Sequence, residues 1–202
     1  MFRGVLWSLV LTIAGSLVVG AEDMKTRESR TVKNDTYGCS AIRPEAAEWQ
    51  IVQGSEIDRY FQQGADVIVC FARFATATPD KQKDNPMIFF YVVPLDVGYF
   101  DKYGTKGLAK EIYKESYAKD YKDVKDLSET KSITYKFGKV AQFGFTGVSI
   151  KYGNPRTVQV SCFKNGRQGY IIDVDGLPDM VKKYAAETKY ILDNLKFFDP
   201  KD

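Results

Sequence analysis

The chain contains no histidine, and this absence narrows the chemistry that it can perform. Histidine is the usual general base at neutral pH, the partner of serine and cysteine nucleophiles, and the commonest zinc ligand. A glycine-rich phosphate loop is also missing, because Gly138, Gly144 and Gly147 lie within a β-rich stretch and do not open a helix. We therefore expect no catalytic residues, no bound cofactor and no metal.

An excess of charge of one sign is also lacking. The chain has 29 lysine and arginine residues against 26 aspartate and glutamate residues, for a net charge of +3. The two signs are interspersed, as at Lys110, Glu111 and Lys114, so no block is basic enough to contact a phosphate backbone. We therefore expect no nucleic-acid partner.

Long apolar runs are scarce, and the one at the N terminus is typical of a secretion signal. Arg3 precedes an apolar run over 5–19, and the small residues Gly20 and Ala21 follow it. The alternative is an uncleaved membrane anchor, but serine, threonine and glycine residues dilute this run, and no later segment approaches spanning length. We predict a signal peptide over 1–21, a secreted or periplasmic product, and no integral membrane segment after cleavage.

Cysteine is rare, with three residues in the whole chain. Arg73 marks the solvent face of the strand that contains Cys70, and Gln159 and Ser161 mark that of the strand that contains Cys162. This alternation places both cysteines on inward faces. They could form a buried disulfide bond if their strands are neighbours, but two separate buried thiols are the favoured interpretation. Cys39 follows a turn-like Tyr-Gly pair, so we expect it to be exposed and able to pair instead.

The chain after the leader divides into two parts. Residues 22–43 are polar without sustained periodicity, which predicts a flexible N-terminal arm, and Asn34 in this arm begins a glycosylation sequon. Residues 44–202 have the length and composition of a single globular α+β domain.

Hydrophobic periodicity within this domain predicts an antiparallel sheet flanked by helices. Apolar runs predict strands over 67–74 and 87–93, and helical spacing predicts a helix from Thr105 to Tyr117. A solvated loop is expected over 122–131. Three consecutive antiparallel strands then cover about 140–174, with a bulge near Gly147 and a tight turn at Asn165-Gly166, before a closing helix from Pro178.

This order of elements carries a family resemblance. The strand Gly169-Tyr-Ile-Ile-Asp173 and the ending Tyr190-Ile-Leu-Asp-Asn-Leu-Lys-Phe-Phe198 complete a pattern that resembles the PsbP photosystem proteins and the Mog-type Ran-binding proteins. The resemblance covers roughly 49–198. It implies an α/β/α sandwich that acts as a binding or accessory module without shared catalytic machinery, and it transfers no residue role to this chain.

Two clusters are candidates for a site. Asp173, Asp175 and Asp179 could present oxygens to calcium, although a role in turn formation and at a helix N terminus is favoured. A second set could line a cleft for an apolar ligand, although aromatic strand residues more often belong to the core. Its members are Phe89, Tyr91, Phe143 and Phe145.

These observations favour an exported, non-enzymatic binding or accessory module that acts on a protein partner or an envelope assembly. The alternatives are a carrier of a small apolar ligand and an enzyme that works without histidine.

Overall fold

The computed structural model describes residues 24–60, 67–74 and 86–200. The predicted signal peptide over 1–21 lies outside the described residues. The strands are β1 Thr31–Asn34, β2 Cys39–Ile42, β3 Trp49–Ile51, β4 Val69–Arg73, β5 Ile88–Leu95, β6 Tyr121–Lys125, β7 Lys131–Tyr135, β8 Gly138–Ser149, β9 Pro155–Asn165, β10 Gln168–Gly176 and β11 Lys196–Phe197. The helices are α1 Met24–Ser29, a 3₁₀ helix at Gly54–Arg59, α2 Val97–Ile112, a π-helical turn at Tyr113–Tyr117, α3 Ala118–Asp120, α4 Pro178–Lys183 and α5 Ala185–Asp193.

Eight strands form one large antiparallel sheet. The order is β3-β4-β5-β10-β9-β8-β6, and β7 also pairs with β8. This arrangement confirms the predicted α+β class with an antiparallel sheet. Among the described residues, no helix is long and apolar enough to cross a membrane.

Both faces of the large sheet are covered. Tyr170 and Ile172 of β10 lie in a core cluster with Ile191 of α5 on one face. On the opposite face, Leu108 of α2 lies in a second cluster with Val160 of β9. Alternate residues of each strand point to opposite faces, so the sheet is the middle layer of an α/β/α sandwich.

The segment predicted as a flexible arm contributes structure to the domain. β1 and β2 pair with each other, and β2 pairs with β11 to form a second, three-stranded sheet. Cys39 and Ala41 of β2 are fully buried in the same cluster as α5. The prediction failed over 31–42 because strands of four residues show little periodicity and their partner β11 lies far away in sequence.

The meander predicted over 140–174 is confirmed. β8, β9 and β10 are consecutive antiparallel neighbours. The tight turn lies one residue later than predicted, at Gly166-Arg167, because Asn165 pairs with Gln168. Gly166 has a φ of +57°, a conformation that glycine adopts without steric cost.

The region expected as a solvated loop over 122–131 instead holds β6 and the start of β7. The bulge predicted near Gly147 lies in β6, where the register shifts between Lys122 and Lys125 and Asp123 has a φ of +52°. A Cβ at Gly147 would lie 3.3 Å from the Lys122 carbonyl oxygen, so the glycine permits the close approach of the two strands.

Both predicted helices have different bounds in the structure. α2 begins at Val97, where the side chain of Asp96 accepts a hydrogen bond from Gly98 N–H, and not at Thr105. Gly104, with a φ of +64° and a ψ of 161°, interrupts the helix just before the predicted start. The closing helix is broken at Tyr184, which separates α4 from α5.

All three cysteines are free and buried. Cys70 lies on β4 and Cys162 on β9, and two strands, β5 and β10, separate them. Neighbouring strands are about 4.8 Å apart, so these thiols cannot form a disulfide bond. The favoured interpretation of two separate buried thiols is therefore confirmed, while the expectation that Cys39 is exposed was wrong.

Candidate functional site

Two aspartates occupy one face of the central strand β10. Asp173 pairs across the sheet with Tyr91 of β5, and Asp175 pairs with Phe89. Residues two apart on a strand share a face, and this is the face that α2 covers further along the sheet. The strand register therefore sets two carboxyl groups beside two aromatic rings.

Aromatic side chains from distant segments surround these groups. The π-helical turn after α2 supplies Tyr117, β6 begins with Tyr121, and the turn between β8 and β9 supplies Tyr152. Tyr60 follows the 3₁₀ helix on the other side. Together they enclose a cavity of about 330 Å³. Its aromatic lining consists of Tyr60, Phe89, Tyr91, Tyr117, Tyr121 and Tyr152, and its remaining lining consists of Asp120, Ser149, Ile150, Lys151 and Asp175.

Asp173 lies behind this lining with no exposed surface. The Tyr91 hydroxyl donates to its Oδ2 at 2.6 Å, and the Tyr117 hydroxyl donates to the same oxygen. Within the described part of the chain, Oδ1 has no hydrogen-bond partner. Burial, together with the nearby charge of Asp175, raises the pKa of Asp173 to about 7, while the tyrosine hydrogen bonds oppose the rise.

Asp175 forms a buried ion pair with Arg156. The Arg156 Nε donates to Oδ1 at 2.7 Å, and its Nη2 donates to the backbone oxygen of Asp175 at 3.1 Å. Its Nη1 donates to the Pro86 carbonyl at 2.9 Å, and the guanidinium has no exposed surface. Tyr121 also donates to Asp175, at 3.0 Å. Several hydrogen bonds therefore hold this pair in place, as a buried ion pair requires.

The tyrosine hydroxyls are held in their protonated form. Burial, followed by the charge of Asp173, raises the pKa of Tyr91 and of Tyr117. Burial, followed by the charge of Asp175, likewise raises the pKa of Tyr121. Each of these three hydroxyls donates a hydrogen bond to a carboxyl group.

The rim of the cavity carries one charge of each sign. Burial raises the pKa of Asp120, and the charges of Lys119 and Lys151 oppose that rise. Burial lowers the pKa of Lys151, and the charge of Asp120 opposes the fall. The Lys151 ammonium lies 5.8 Å from the centre of the Tyr152 ring.

No protein-family model matches this chain, and no curated protein matches it in sequence. Solved structures do resemble it. A structure from Bacteroides thetaiotaomicron VPI-5482 has a TM-score of 0.50 and 10% identity over 84% of this chain, which spans 48% of that protein, about half its length.

Two further similar structures belong to the kinds of protein that the sequence resembles. PsbP from Synechocystis sp. PCC 6803 has a TM-score of 0.47 and 10% identity, covering 83% of this chain and 91% of its own. The Ran-binding protein Mog1p from Saccharomyces cerevisiae has a TM-score of 0.48 and 10% identity, covering 84% of this chain and 95% of its own. At such identities the likeness concerns the fold alone.

The structure brings together two of the three predicted carboxylates. Asp173 and Asp175 lie at the cavity, whereas Asp179 is exposed in the first turn of α4. No group of three potential metal ligands occurs among the described residues, so the calcium hypothesis has no support there. The favoured role at a helix N terminus holds for Asp179, but Asp173 and Asp175 are buried strand residues and not turn residues.

Of the four residues considered for an aromatic cleft, Phe89 and Tyr91 line the cavity. Phe143 and Phe145 are core residues that pack against Tyr113. Sequence reasoning missed the residues that come from other segments, among them Tyr117, Tyr121, Tyr152 and Arg156.

Proposed function

We propose that this chain is an exported, non-enzymatic binding module that holds a small molecule in the tyrosine-lined cavity. The observation that carries the proposal is the cavity itself, with about 330 Å³ of space, six aromatic rings and a buried ion pair at one wall. Small-molecule sites of proteins have this size and this mixture of aromatic surface with a few fixed polar groups. The apolar N-terminal run supports export.

The arrangement favours binding over turnover. A general acid or base must lie within hydrogen-bond reach of the substrate, but Asp173 is screened by Tyr91 and Tyr117 and has no exposed surface. The tyrosines are poor nucleophiles because their pKa values are raised. Asp173 and these tyrosines are therefore not accessible activated groups for an enzyme without histidine.

The ligand that we propose differs from the apolar cargo considered from the sequence. Tyrosine hydroxyls and two carboxylates share the lining with the aromatic rings, which favours a polar or charged ligand.

The sequence also predicts a protein partner or an envelope assembly, and that prediction does not depend on the cavity. Affinity capture with the mature chain from its own extracellular or periplasmic fraction tests that prediction.

The small-molecule proposal is tested by removing one aromatic side chain from the lining of the cavity. Native mass spectrometry of the mature chain should detect a retained small molecule, and Tyr152→Ala should abolish its retention. Tyr99→Ala is the matched control, because Tyr99 is 50% exposed and lies outside the cavity. Circular dichroism establishes that both variants are folded.

Two outcomes contradict the proposal. Retention that persists in Tyr152→Ala places the molecule elsewhere on the chain. The second outcome is that the mature chain retains no molecule and gives no saturation-transfer signal with a library of small polar compounds. In that case the cavity does not bind a small molecule.

A further inference from the structure

We infer that the outer face of α2 binds the surface of an anionic phospholipid membrane. This face, called the α2 face below, consists of Tyr99, Lys102, Tyr103, Lys106 and Lys110. None of these five residues lines the tyrosine-lined cavity, so the inference goes beyond the proposed function and does not depend on it. Exposed aromatic rings, an excess of positive charge and a firm attachment of α2 to the sheet support it.

The α2 face exposes two aromatic rings to solvent. Tyr99 is 50% exposed and Tyr103 is 36% exposed. Among the described residues, the other exposed large hydrophobic side chains are those of Leu127 and Ile150. Tyr99 and Tyr103 are one turn apart, so their side chains lie on the same side of the helix. Tyrosine is enriched at the boundary between water and hydrocarbon, because its ring is apolar and its hydroxyl is polar.

Both acidic residues of α2 are paired with lysines from other elements. Oδ1 of Asp101 lies 2.9 Å from Nζ of Lys164 on β9. Oε1 of Glu111 lies 3.2 Å from Nζ of Lys114 in the π-helical turn. The charges that alternate in sign along the sequence are therefore sorted in space by ion pairing. The two carboxylates add little negative charge to the α2 face.

The three lysines within α2 supply the excess of positive charge. Lys102, Lys106 and Lys110 are exposed, and among the described residues they have no carboxylate partner. The Lys102 ammonium lies 4.8 Å from the centre of the Tyr103 ring, which places positive charge beside an exposed aromatic side chain. An anionic membrane surface is complementary to this charge, because it attracts each basic residue that comes near it.

These residues form one patch although Gly104 interrupts the helix. Lys106 and Lys110 are one turn apart in the second part of α2, so they project on the same side. A Cβ at Gly107 would lie 3.6 Å from the Cβ of Tyr103 in the first part. Tyr103 therefore lies beside the turn that carries Lys106, and the rings and the lysines are neighbours.

The opposite side of α2 fixes the helix to the sheet. Phe100, Leu108 and Ile112 are buried in the same cluster as Val160 of β9. Phe100 also packs so closely on Gly169 of β10 that a Cβ there would clash with its ring. α2 cannot turn its buried side towards lipid without losing this core, so the membrane meets the exposed face of the folded domain and the binding is peripheral.

The composition of the α2 face favours lipid over protein as the partner. Lysine is depleted in protein–protein interfaces, whereas lysine combined with exposed aromatic residues is typical of surfaces that lie on anionic membranes. The long lysine stems let the ammonium groups reach lipid phosphates while the rings of Tyr99 and Tyr103 enter the headgroup layer. An acidic protein is the alternative partner, and the dependence of binding on lipid charge distinguishes the two.

Flotation of the mature chain with phospholipid vesicles tests the inference. One set of vesicles is pure phosphatidylcholine, and the other contains about 30% phosphatidylglycerol. At low salt the anionic vesicles should bind about 100-fold more tightly, since each of the three lysines near an anionic surface contributes about fivefold. About 0.5 M salt should remove most of this difference, because it screens the attraction.

Two double variants locate the surface that binds. Lys106→Gln with Lys110→Gln should weaken binding to the anionic vesicles about 25-fold. Lys182→Gln with Lys183→Gln is the matched control, because it removes the same charge from exposed positions of α4 on the opposite face of the sheet, and it should change binding less than about twofold. Tyr99→Ser should weaken binding several-fold at low and high salt, because contact of the ring with the headgroup layer is not screened. Circular dichroism establishes that all variants are folded.

Three outcomes overturn the inference. The first is that the mature chain binds both kinds of vesicle equally, or binds neither. The second is that the two double variants lose the same affinity, which would make the attraction a property of the total charge. The third is that Lys106 and Lys110 are needed to capture an acidic protein while no vesicle binds. Retention of a small molecule is measured separately, so each of these outcomes leaves the proposed function standing.

Discussion

Asp173 shows how one residue can be held near neutral charge inside a protein. It lies on the central strand, without exposed surface, and one of its oxygens accepts hydrogen bonds from two tyrosine hydroxyls. Burial disfavours the ionised form and raises its pKa to about 7, far above the value of an exposed aspartate. The folded state therefore binds a proton that the unfolded chain releases at lower pH.

This linkage makes the stability of the chain depend on pH. An acid whose pKa is raised on folding contributes stability at low pH, and that stability is lost as the pH rises from about 4 to about 7. The slope is at most about 1.4 kcal/mol per pH unit, and it should vanish above pH 7. Asp173→Asn cannot titrate at this position, so between pH 5 and pH 8 its free energy of unfolding should rise by about 3 kcal/mol relative to that of the wild type.

Urea unfolding of both proteins at pH 5 and pH 8 measures this difference. The difference between the two proteins isolates Asp173 from other titrating groups, and the groups that face it are Tyr91, Tyr117, Tyr121, Asp175, Arg156 and Cys162. The phenols and the thiol titrate far above this range because burial raises their pKa. A difference that is equal at the two pH values would show that Asp173 keeps its ordinary pKa.

Part of the candidate site is visible in the sequence. Asp173 and Asp175 stand out because they alternate with Val174 on a strand that is otherwise apolar. Their partners are not visible. Tyr117 lies 56 residues before Asp173 in the sequence, and Arg156 lies at the far end of the neighbouring strand β9. The π-helical turn and the strand register bring them to the two aspartates. A charged residue on a buried strand face is thus a signal of a site, but not of its composition.

At the scale of elements, local pattern predicts the long strands and fails for the short ones. β8, β9 and β10 have nine to twelve residues each and alternate clearly, so their order was predicted. β1 and β2 have four residues each and become ordered by pairing with each other and with β11. Because this pairing joins the two ends of the domain, no local window of sequence contains the signal.

Gly38 is a residue whose backbone conformation and close contact the small sheet requires. It has a φ of +60°, and a Cβ there would lie 2.0 Å from the carbonyl oxygen of Phe198. Gly54 is a matched control, since its φ is +59° and nothing lies within 4 Å of its Cβ position. The left-handed conformation costs alanine about 1–2 kcal/mol at either site, and the clash with backbone adds about 2 kcal/mol or more at Gly38.

Urea unfolding of Gly38→Ala and Gly54→Ala measures this difference in stability. Hydrogen exchange provides a second reading, because the Phe198 N–H donates to the Gly38 carbonyl at 2.9 Å and should lose protection only in Gly38→Ala. Equal losses of stability in the two variants would show that the chain end can move away from Gly38 without cost.

At the scale of the whole molecule, the described residues form three core clusters, and each contains one cysteine. Cys39 lies in the cluster under α5, Cys162 in the cluster under α2, and Cys70 in the cluster under the 3₁₀ helix. Burial raises the pKa of Cys39 and of Cys162 to about 12 and raises that of Cys70 as well. Buried thiols of this kind react slowly with thiol reagents.

The three thiols therefore report separately on the two faces of the sheet. The large sheet is shared by all three clusters, so loss of one face exposes the other, and the domain should unfold as a unit. Pulse labelling with a thiol reagent in increasing urea, read by mass spectrometry, should give one midpoint for Cys39, Cys70 and Cys162. A reducing agent should leave that midpoint unchanged, because the described structure has three free thiols. Earlier labelling of Cys39 alone would instead show that the small sheet opens while the sandwich stays folded.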